Sequence, residues 1–450
     1  AYNIDTGEYV EFTSTAEFLK WACERKRIVY AHNGGKFDWH FIIGEIPLYT
    51  RVKVINGRLA KFKIGLCEFR DSWNILPQPL GAYKKDEINY EWFERDVRHM
   101  HMVAIRAYLR KDCEYLADLI REFIDQHGKK LTLAGAAMSF AEKQRGEKAD
   151  KSDEKFYNTF APFYAGGRVQ CFHQGEIGKG FSVYDIRSAY PRAMMDQHPS
   201  GTVMLVWDGL PETDEEIQRA FIRLECESHG AFFFRSEDGS LDFPADGARR
   251  VFHVTGWEYL AARDTGTLVQ PIVQAVYELA GTIQFRDYVD YWFAEKSANK
   301  KGTAKYTIAK LFLNSLYGKF AADPRKYRDY QTFPSVDIYH AQGENWRLET
   351  LEGEIALMSV PTPDSQKRFY NVATAASITG SVRAKLWRAI CSVSSPLYCD
   401  TDSIACVDGS RLDIGPDLGQ WDHEAECDNG WIAGKKLYAF HTREPDENGK

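Results

Sequence analysis

Alternating apolar and polar positions predict a short strand that ends in a carboxylate. Phe181, Val183 and Asp185 fall on one face of this stretch, because successive side chains of a strand point to opposite sides. Pro191 follows a few residues later and suits the first turn of a helix. We therefore expect a strand that ends near Asp185 and leads into a helix.

A second alternating stretch predicts a tight strand–turn–strand. Apolar runs lie on both sides of an Asp-Thr-Asp sequence, and the period of two puts Asp400 and Asp402 on the same side. Such carboxylates attract a hard divalent cation, since Mg²⁺ is usually held by one or two carboxylates together with substrate phosphates. Taken alone, an Asp-Thr-Asp sequence is a solvated turn more often than a catalytic site. The prediction therefore depends on the other stretches.

A third stretch has the spacing of a helix. Its apolar stripe consists of Ile308, Phe312 and Leu316. The opposite stripe carries Lys310, Asn314 and Tyr317. A solvated helix face would explain Lys310 alone, but Asn and Tyr are not preferred helix formers. A cation, an amide and an aromatic ring on one face suit a nucleoside triphosphate.

The three stretches resemble the three polymerase motifs of family B DNA polymerases. The stretch at Asp185 resembles motif A (DxxSLYP), the stretch at Lys310 resembles motif B (KxxxNSxYG), and the stretch at Asp400 resembles motif C (YxDTDS). They follow one another along the chain in the order A, B, C. Ala189 stands where motif A usually has Leu. Within the family, the chain most resembles the protein-primed replicases of bacteriophages and linear plasmids. Residues 164–167 resemble their YxGG linker, residues 436–438 resemble their KxY motif, and a long insert follows motif A.

The resemblance implies a role for each motif residue. Asp185 and Asp402 would hold two Mg²⁺ ions, with Mn²⁺ as an alternative, and Asp400 would be a supporting catalytic carboxylate. Tyr190 would exclude a ribose 2′-hydroxyl. The other nucleotide-binding residues would be Lys296, Lys310, Asn314 and Tyr317. The DNA-binding residues of the polymerase would be Tyr164, Gly166, Gly167, Gly318, Lys436 and Tyr438.

The N-terminal portion resembles a 3′–5′ exonuclease. Residues 31–38 follow an apolar strand and resemble the second exonuclease motif, whereas Tyr108 and Asp112 lie four apart in a predicted helix and match the YxxxD third motif. Residues 72–76 and 85–88 resemble the family's SLxxh and Kxxh motifs. By resemblance, the exonuclease residues would be Asn33, Asp38, Lys85, Tyr108 and Asp112, with Asp38 and Asp112 as metal ligands. Single-stranded DNA would contact His32, Asn33, Phe41 and Ser72.

The resemblance implies a multidomain α/β and α+β fold. An RNase H-like exonuclease domain would span residues 1–160, and a polymerase domain with an antiparallel palm sheet would span 161–450. The palm would take about 165–205 and 363–450, and the fingers about 283–325. The insert at about 206–282 would be the first terminal-protein region. Residues of about 326–360 would be the second such region, or a plain surface hairpin.

The two ends of the sequence suggest an internal fragment. The chain starts without Met, and no DxE pair precedes Asn33 on a credible strand, so we expect the first exonuclease motif to be missing and exonuclease activity to be weak or absent. Near the other end, residues 446–449 have hairpin-turn chemistry with no returning strand. We therefore also expect the thumb to be missing.

Composition is typical of a soluble, multidomain enzyme of 450 residues. The nine Cys include no CxxC pair, and no apolar run reaches the roughly 20 residues of a membrane span. The net charge of −7 argues mildly against DNA binding, but a basic cluster precedes motif B, at Lys296, Lys300, Lys301, Lys305 and Lys310. Neutralising these lysines would distinguish a DNA-binding surface from a solvated helix.

These observations favour a monomeric viral DNA polymerase in the host cytoplasm, with primer-template DNA, dNTPs and a terminal protein as partners and no membrane association. Three alternatives remain open. The chain could be an RNA-primed family B polymerase or a catalytically inactive DNA-binding module. It could also be a Mg²⁺-dependent phosphohydrolase that uses Asp-Thr-Asp as its phosphatase loop, although this leaves motifs A and B unexplained.

Overall fold

The structure is a computed structural model, and it describes residues 1–83 and 86–443. The predicted motif residue Lys85 and the predicted turn at 446–449 lie outside these residues. The α-helices are α1 (Thr15–Cys23), α2 (Met102–His127), α3 (Leu133–Arg145), α4 (Glu154–Phe160), α5 (Ala189–Met194), α6 (Asp214–Arg219), α7 (Gly256–Asp264), α8 (Arg286–Ala298), α9 (Ala304–Ser315), α10 (Tyr317–Phe320), α11 (Ile338–Gly343) and α12 (Val372–Ser392).

The β-strands are β1 (Arg27–Ala31), β2 (Arg51–Ile55), β3 (Arg58–Ile64), β4 (Cys67–Asp71), β5 (Lys151–Ser152), β6 (Arg168–Cys171), β7 (Gly175–Ile177), β8 (Phe181–Ile186), β9 (His198–Trp207), β10 (Phe221–Glu227), β11 (Phe234–Arg235), β12 (Leu241–Asp242), β13 (Arg249–Thr255), β14 (Ile272–Ile283), β15 (Arg328–Pro334), β16 (Arg347–Glu352), β17 (Ile355–Pro361), β18 (Phe369–Tyr370), β19 (Ser394–Thr401), β20 (Ser403–Asp408), β21 (Trp421–Gly434) and β22 (Leu437–Thr442).

The described residues form two compact units. Unit 1 contains residues from 1–146, 291–316 and 323–367, and unit 2 contains residues from 147–290, 317–322 and from 368 onward. The first boundary falls earlier than the expected end of the exonuclease domain at residue 160. In addition, much of the sequence expected to form fingers and a second terminal-protein region groups with the N-terminal residues. The functional domain boundaries remain predictions.

Unit 1 is built on a mixed sheet with the strand order β1-β4-β3-β2-β15-β17-β16. β1 and β4 are parallel, and the other neighbouring strands are antiparallel. Trp39, Phe62 and Phe69 form a buried aromatic core against this sheet, with the rings of Phe62 and Phe69 stacked at a centroid distance of 5.0 Å. This core is apolar and large enough to hold the N-terminal strands together.

Residues 328–361 extend the unit 1 sheet and do not form a plain surface hairpin. β15 pairs with β2 through Tyr330 and Gln331. Thr332 is buried beside this junction, where its hydroxyl donates to the Pro47 carbonyl at 2.8 Å and accepts from the Thr50 N–H at 2.9 Å. The second predicted insert therefore shares hydrogen bonds with the N-terminal part of the chain.

Unit 1 also contains the helices that carry the predicted exonuclease and motif B residues. α2 confirms the helix predicted at Tyr108 and Asp112. α9 packs its apolar stripe on an aromatic cluster, in which the Phe312 ring lies 4.2 Å from Trp292 and 4.4 Å from His127. The helix ends at Ser315, so the prediction that Tyr317 continues its polar stripe is wrong. Tyr317 begins the separate helix α10.

Unit 2 contains an antiparallel sheet in which β8 occupies a central position. The strand order is β22-β21-β8-β20-β19-β6, and β7 pairs with β21. A second sheet has the order β13-β10-β14-β9 and includes three of the strands that lie in the sequence predicted as the first insert. The insert is therefore folded, as predicted, although β9 begins at His198 and crosses the expected boundary near residue 206.

Helix α12 forms much of the core of unit 2. Its sequence is rich in Ala, Ser, Thr and Val, and sixteen of its residues are buried. The helix begins after Asn371, whose side-chain oxygen accepts from the Thr374 N–H at 3.3 Å and caps the first turn. Small side chains allow close packing against α5, α7 and β9, which carry or flank the candidate site.

Candidate active site

The structure brings the predicted catalytic carboxylates to neighbouring strands. β8 and β20 pair antiparallel, with Asp185 opposite Ser403. Beyond this pair, the Ile186 N–H donates to the Asp402 carbonyl at 2.8 Å. The strands predicted for motifs A and C are therefore confirmed, and Asp185 and Asp402 lie at the same end of the sheet.

The motif C hairpin turns over two residues, Thr401 and Asp402, because Asp400 lies opposite Ser403. β19 ends at Thr401 and β20 begins at Ser403, so Asp402 lies in the turn itself. Thr401 has a φ of 63°, and the Asp402 N–H donates to the Asp400 carbonyl at 2.7 Å. This left-handed conformation is uncommon for a β-branched residue, and strained backbone of this kind concentrates at functional sites.

Gly167 of the predicted YxGG linker lies directly against this turn. A Cβ at Gly167 would lie 2.6 Å from Thr401 Cγ2 and 2.8 Å from Thr401 Cα, whereas a Cβ at Gly166 would meet nothing within 4 Å. β6, which follows the linker, pairs with β19 and places Arg168 opposite Thr401. Position 167 thus needs glycine for close packing, whereas position 166 has room for a side chain.

Asp400 is held by hydrogen bonds and by a cation. Its carboxylate accepts from Thr401 Oγ1 at 3.0 Å and from the Tyr398 hydroxyl at 3.3 Å, and Lys436 Nζ lies 2.5 Å away. The Lys436 N–H donates to the Tyr398 hydroxyl at 2.9 Å, and the Tyr438 ring lies 4.8 Å from the Tyr398 ring. The predicted KxY residues therefore contact motif C.

Asp402 has a different environment from Asp400. Burial raises the pKa of the Asp402 carboxyl to about 6, and the neighbouring carboxylates of Asp400 and Glu424 add to this effect, whereas Lys436 opposes it. Crowded, partly buried carboxylates favour binding of a divalent cation, because the cation compensates for their repulsion and lost hydration. Asp185 and Asp402 are thus chemically suited to hold such an ion.

Among the described residues, no group of three or more His, Cys, Asp or Glu side chains is arranged to hold a metal ion. Magnesium is usually bound by one or two carboxylates, and its remaining ligands are water and substrate phosphates. Two carboxylates at the end of the sheet are compatible with this mode of binding.

Three tyrosines, Tyr164, Tyr190 and Tyr317, lie near one another at the same end of unit 2. Tyr190 follows β8 on the first turn of α5, and its buried ring stacks on Tyr317 at 4.4 Å with an interplanar angle of 5°. Burial raises the pKa of Tyr190 above its ordinary value, and burial together with Tyr164 and Asp402 raises that of Tyr317 to about 12. The three hydroxyls therefore stay protonated at neutral pH and can donate hydrogen bonds.

Sequence reasoning missed Arg383, which positions the linker. Arg383 is buried on α12, where Nε donates to Glu258 Oε1 at 2.7 Å and Nη1 donates to the carbonyls of Ala165 and Gly166 at 2.5 and 2.9 Å. Burying a charged pair is costly unless its hydrogen bonds are satisfied. A single cation in a buried stretch of α12 composed mainly of Ala, Ser, Thr and Val was the available signal.

The other predicted nucleotide-binding residues belong to unit 1. Lys310 and Asn314 are exposed on α9, and Asn314 Nδ2 donates to the Lys310 carbonyl at 3.0 Å. Lys296 of α8 lies over the Phe293 and Tyr306 rings, 5.8 Å from each centroid. Gly318 is exposed on α10 in unit 2. Motif B is therefore divided between the two units.

The predicted exonuclease carboxylates Asp38 and Asp112 both act on the Cys113 thiol. Burial raises the pKa of the Cys113 thiol, and the carboxylates of Asp112 and Asp38 both add to that rise. Burial raises the pKa of Asp38 as well, with a further contribution from Asp71. Tyr108 lies one turn before Asp112 on α2, with its ring 6.3 Å from Phe93.

The residues predicted to contact single-stranded DNA have unequal exposure. Phe41 is 65% exposed. Asn33, with a φ of 63°, accepts a hydrogen bond from Arg58 through its side chain. Ser72, by contrast, is fully buried, and its hydroxyl lies 3.1 Å from His32 Nδ1 and donates to the Ala31 carbonyl at 3.2 Å. Direct contact between Ser72 and DNA is thus not supported, and the residue positions His32 instead.

The sequence relatives are DNA polymerases. The family described as DNA polymerase type B, organellar and viral, matches residues 82–345. The chain is 37% identical over 435 residues to the DNA-directed DNA polymerase of Enterobacteria phage PRD1, covering 95% of this chain and 76% of the relative. It is 24% identical over 519 residues to the DNA polymerase of Bacillus phage phi29, covering 99% and 83%.

The fold is similar to that of phi29 DNA polymerase. The structure of phi29 DNA polymerase complexed with single-stranded DNA aligns with a TM-score of 0.77 at 20% identity, over 100% of this chain and 84% of that chain. The fold and site thus define a template-directed DNA polymerase, the DNA-directed DNA polymerase class of nucleotidyltransferase. The chain belongs to the organellar and viral type B DNA polymerases.

None of the helices in the described residues has the length and hydropathy needed to span a bilayer.

Proposed function

We propose that the chain extends DNA primers by nucleotidyl transfer at Asp185 and Asp402. The observation that carries this proposal is their placement at the same end of paired strands, linked by the hydrogen bond from Ile186 to Asp402. Two Mg²⁺ ions bound here would lower the pKa of the primer 3′-hydroxyl and neutralise the triphosphate and pyrophosphate. Asp185 and Asp402 hold this pair, and Asp400 supports the turn.

The remaining residues bind and orient the substrates. Lys436 and Tyr438 position the primer end, consistent with their contacts to Asp400 and Tyr398. Tyr190 and Tyr317 form an aromatic surface for the incoming nucleotide. Lys310 and Lys296 supply cations for its phosphates, and Asn314 supplies an amide for its base.

Primer-template DNA and dNTPs are the proposed substrates. The support is a solved structure of phi29 DNA polymerase complexed with primer-template DNA and incoming nucleotide substrates, which aligns over the whole of this chain with a TM-score of 0.76. We place Tyr164, Gly166, Gly167 and Gly318 along the DNA path. The proposed location is the cytoplasm of an infected host cell, with the chain acting as a monomer.

Primer extension tests the proposed chemistry. With Mg²⁺ and a single dNTP complementary to the template, we expect Asp402→Asn to lower the extension rate by at least about 10³-fold, since metal stabilisation of transition-state charge contributes several kcal/mol. DNA binding, measured by fluorescence anisotropy, should be nearly unchanged. Asp408→Asn is a matched control, because Asp408 is an exposed carboxylate at the far end of β20. Undiminished extension by Asp402→Asn would refute the assignment.

We also propose a 3′–5′ proofreading exonuclease centred on Asp38 and Asp112. Two bound metal ions would activate the attacking water, Tyr108 would orient it, and Asn33, His32 and Phe41 would bind the frayed primer end. Lys85 belongs to the same proposal by its motif alone. Whatever degradation of a single-stranded 3′ end this chain shows should disappear in Asp112→Ala and persist in Asp125→Ala, which lies further along α2. Equal loss in both variants would argue against a specific role for Asp112.

Protein priming is the proposed mode of initiation. It is supported by similarity to the PRD1 and phi29 polymerases across most of the chain and by the folded insert between β9 and β14. A tyrosine, serine or threonine hydroxyl of a terminal protein would accept the first nucleotide. Covalent labelling of such a protein by a radioactive dNTP would support this mode. Extension restricted to nucleic-acid primers would favour an RNA-primed polymerase.

A further inference from the structure

Unit 2 contains a cavity that the polymerase chemistry does not use. Its volume is about 450 Å³, within the range of roughly 300 to 1,000 Å³ that is typical of small-molecule sites. It lies between α5, α12 and the loop that joins β20 to β21. The side chains of Ala189, Ala193, Val382, Ala389 and Leu412 make part of the wall apolar.

The polar lining has an excess of positive charge. Four cationic side chains and two acidic side chains line the cavity: Arg192, Lys385, Arg388, Arg411, Asp196 and Asp413. Three of the cations come from two helices, α5 and α12, so their positions are set by rigid elements. Arg411 is exposed on the loop that closes one side.

Existing contacts hold these cations in place without using all their donors. Arg192 Nη1 donates to Asp196 at 2.8 Å, and Arg388 Nη2 donates to Asp264 at 2.7 Å. Lys385 Nζ donates to the Gly419 carbonyl. An ammonium has three N–H donors and a guanidinium has five, so each side chain keeps donors for a further acceptor.

Two tryptophans give the cavity an aromatic wall. Trp257 lies at the start of α7, where its Nε1 donates to Ser377 Oγ at 3.1 Å, and Trp421 is buried at the start of β21. An aromatic ring offers a flat, apolar face that can stack on a planar group. An aromatic face beside several cations suits a ligand that has both a planar ring and a negatively charged group.

We infer that this cavity binds a small phosphate-bearing anion with a flat aromatic body, of which a nucleoside monophosphate is the simplest example. Arg192, Lys385 and Arg388 bind the phosphate, and Trp257 contacts the ring. Charge-assisted hydrogen bonds to phosphate are the stronger class, and a mostly preformed site limits the entropic cost of binding.

The cavity is connected to the catalytic strand through its loop. The Gly419 N–H donates to the Arg187 carbonyl at 2.8 Å, and the Arg187 N–H donates to the Gln420 carbonyl at 2.9 Å. Ile186, the neighbour of Asp185, also lines the cavity. A bound ligand that contacts Lys385 and this loop therefore touches the elements that fix the position of Asp185.

Isothermal titration calorimetry tests the inference. The whole chain is titrated with 2′-deoxyadenosine 5′-monophosphate in the presence of EDTA, because chelation removes the metal ions that would hold phosphates at the proposed catalytic sites. We expect one equivalent to bind, and we expect inorganic phosphate and deoxyadenosine each to bind at least tenfold more weakly. Absence of binding, or equal affinity for inorganic phosphate, would overturn the assignment.

Two variants locate the bound ligand. Ser381→Trp fills the cavity from α12, and Arg411→Glu reverses a charge at its exposed edge; each should weaken binding at least tenfold. Arg219→Gln is the matched control, because Arg219 is paired with Glu215 on α6 and does not line the cavity. Affinity unchanged in Arg411→Glu would overturn the inference even if Ser381→Trp failed to fold, and thermal unfolding of each variant checks the fold.

Discussion

At the scale of single residues, the two aspartates of the motif C hairpin have different tasks set by their surroundings. Asp400 accepts two side-chain hydrogen bonds and pairs with Lys436, so its carboxylate is already compensated within the protein. Asp402 lies in the turn, where burial raises its pKa to about 6. The uncompensated carboxylate is therefore the better ligand for a metal ion, and Asp400 is better placed to fix the hairpin and Lys436.

The stacked pair of Tyr190 and Tyr317 predicts how the chain selects deoxyribonucleotides. If the Tyr190 ring fills the space next to the sugar, Tyr190→Val should raise the relative efficiency of ribonucleotide incorporation by about 10- to 100-fold, corresponding to about 1 to 3 kcal/mol of lost discrimination. Competing single-nucleotide extensions with ATP and dATP measure the ratio. Tyr190→Phe keeps the ring and should retain the selectivity of the original chain.

The hydroxyl provides the alternative explanation. A similar loss of selectivity in Tyr190→Phe would assign discrimination to the Tyr190 hydroxyl. Unchanged selectivity in both variants would remove the residue from sugar recognition.

At the scale of elements, local periodicity was enough to predict the strands of motifs A and C and the helices around Asp112 and Phe312. It could not predict where α9 ends, because the stacking of Tyr317 on Tyr190 is a contact between residues more than a hundred positions apart. The pairing of β15 with β2 could not be predicted for the same reason, because it also joins residues that are far apart in sequence. The role of Ser72 depends on burial, which composition and spacing do not reveal, whereas the composition around Arg383 signals a special cation but not its partners.

The linker and the motif C turn form an element pair whose contact can be tested with two glycines. Gly167→Ala should lower the extension rate at least tenfold, because the new Cβ would meet the backbone of Thr401 at 2.8 Å and displace the turn that carries Asp402. Gly166→Ala should be nearly neutral, since its Cβ meets no atom within 4 Å. Single-turnover extension on a primer-template measures both.

Comparing the two glycine variants distinguishes a packing requirement at Thr401 from a requirement for close contact between the linker and DNA. If Gly166→Ala lost as much activity as Gly167→Ala, the requirement for glycine would come from the approach of DNA to the linker and not from Thr401. If neither variant lost activity, the turn would tolerate displacement and the proposed positioning role would be wrong.

At the scale of the whole molecule, buried polar side chains tie α12 of unit 2 to elements that are distant in sequence. Arg383 binds Glu258 of α7, and Ser377 lies within 3.1 Å of both Trp257 and His198. These partners belong to or flank the insert that follows motif A. Buried hydrogen bonds between particular partners help to specify one arrangement of a core, so the insert is joined to the helix behind the catalytic strands by specific contacts.

His198 makes the stability of unit 2 depend on pH. Its ring is fully buried, with Nε2 donating to the Ala193 carbonyl at 2.7 Å and Nδ1 lying 2.9 Å from Ser377 Oγ. Burial lowers its pKa from 6.5 to about 4. The neutral ring therefore contributes its full stability above pH 6.5, and this contribution is lost as the pH falls towards 4, because the unfolded chain takes up a proton first.

Replacement of this histidine should flatten the acid side of the stability profile. Between pH 7 and pH 5, linkage predicts that His198 costs the folded chain about 2 kcal/mol, which would lower the melting temperature by several degrees. His198→Gln keeps a donor for the Ala193 carbonyl but does not titrate, so its melting temperature should fall less over this interval, even if it starts lower at pH 7.

His340→Gln, at an exposed position on α11, should keep the full pH dependence of the original chain. Equal losses in all three proteins would show that His198 is protonated in the folded state or remains neutral in both states, and the proposed linkage would be wrong.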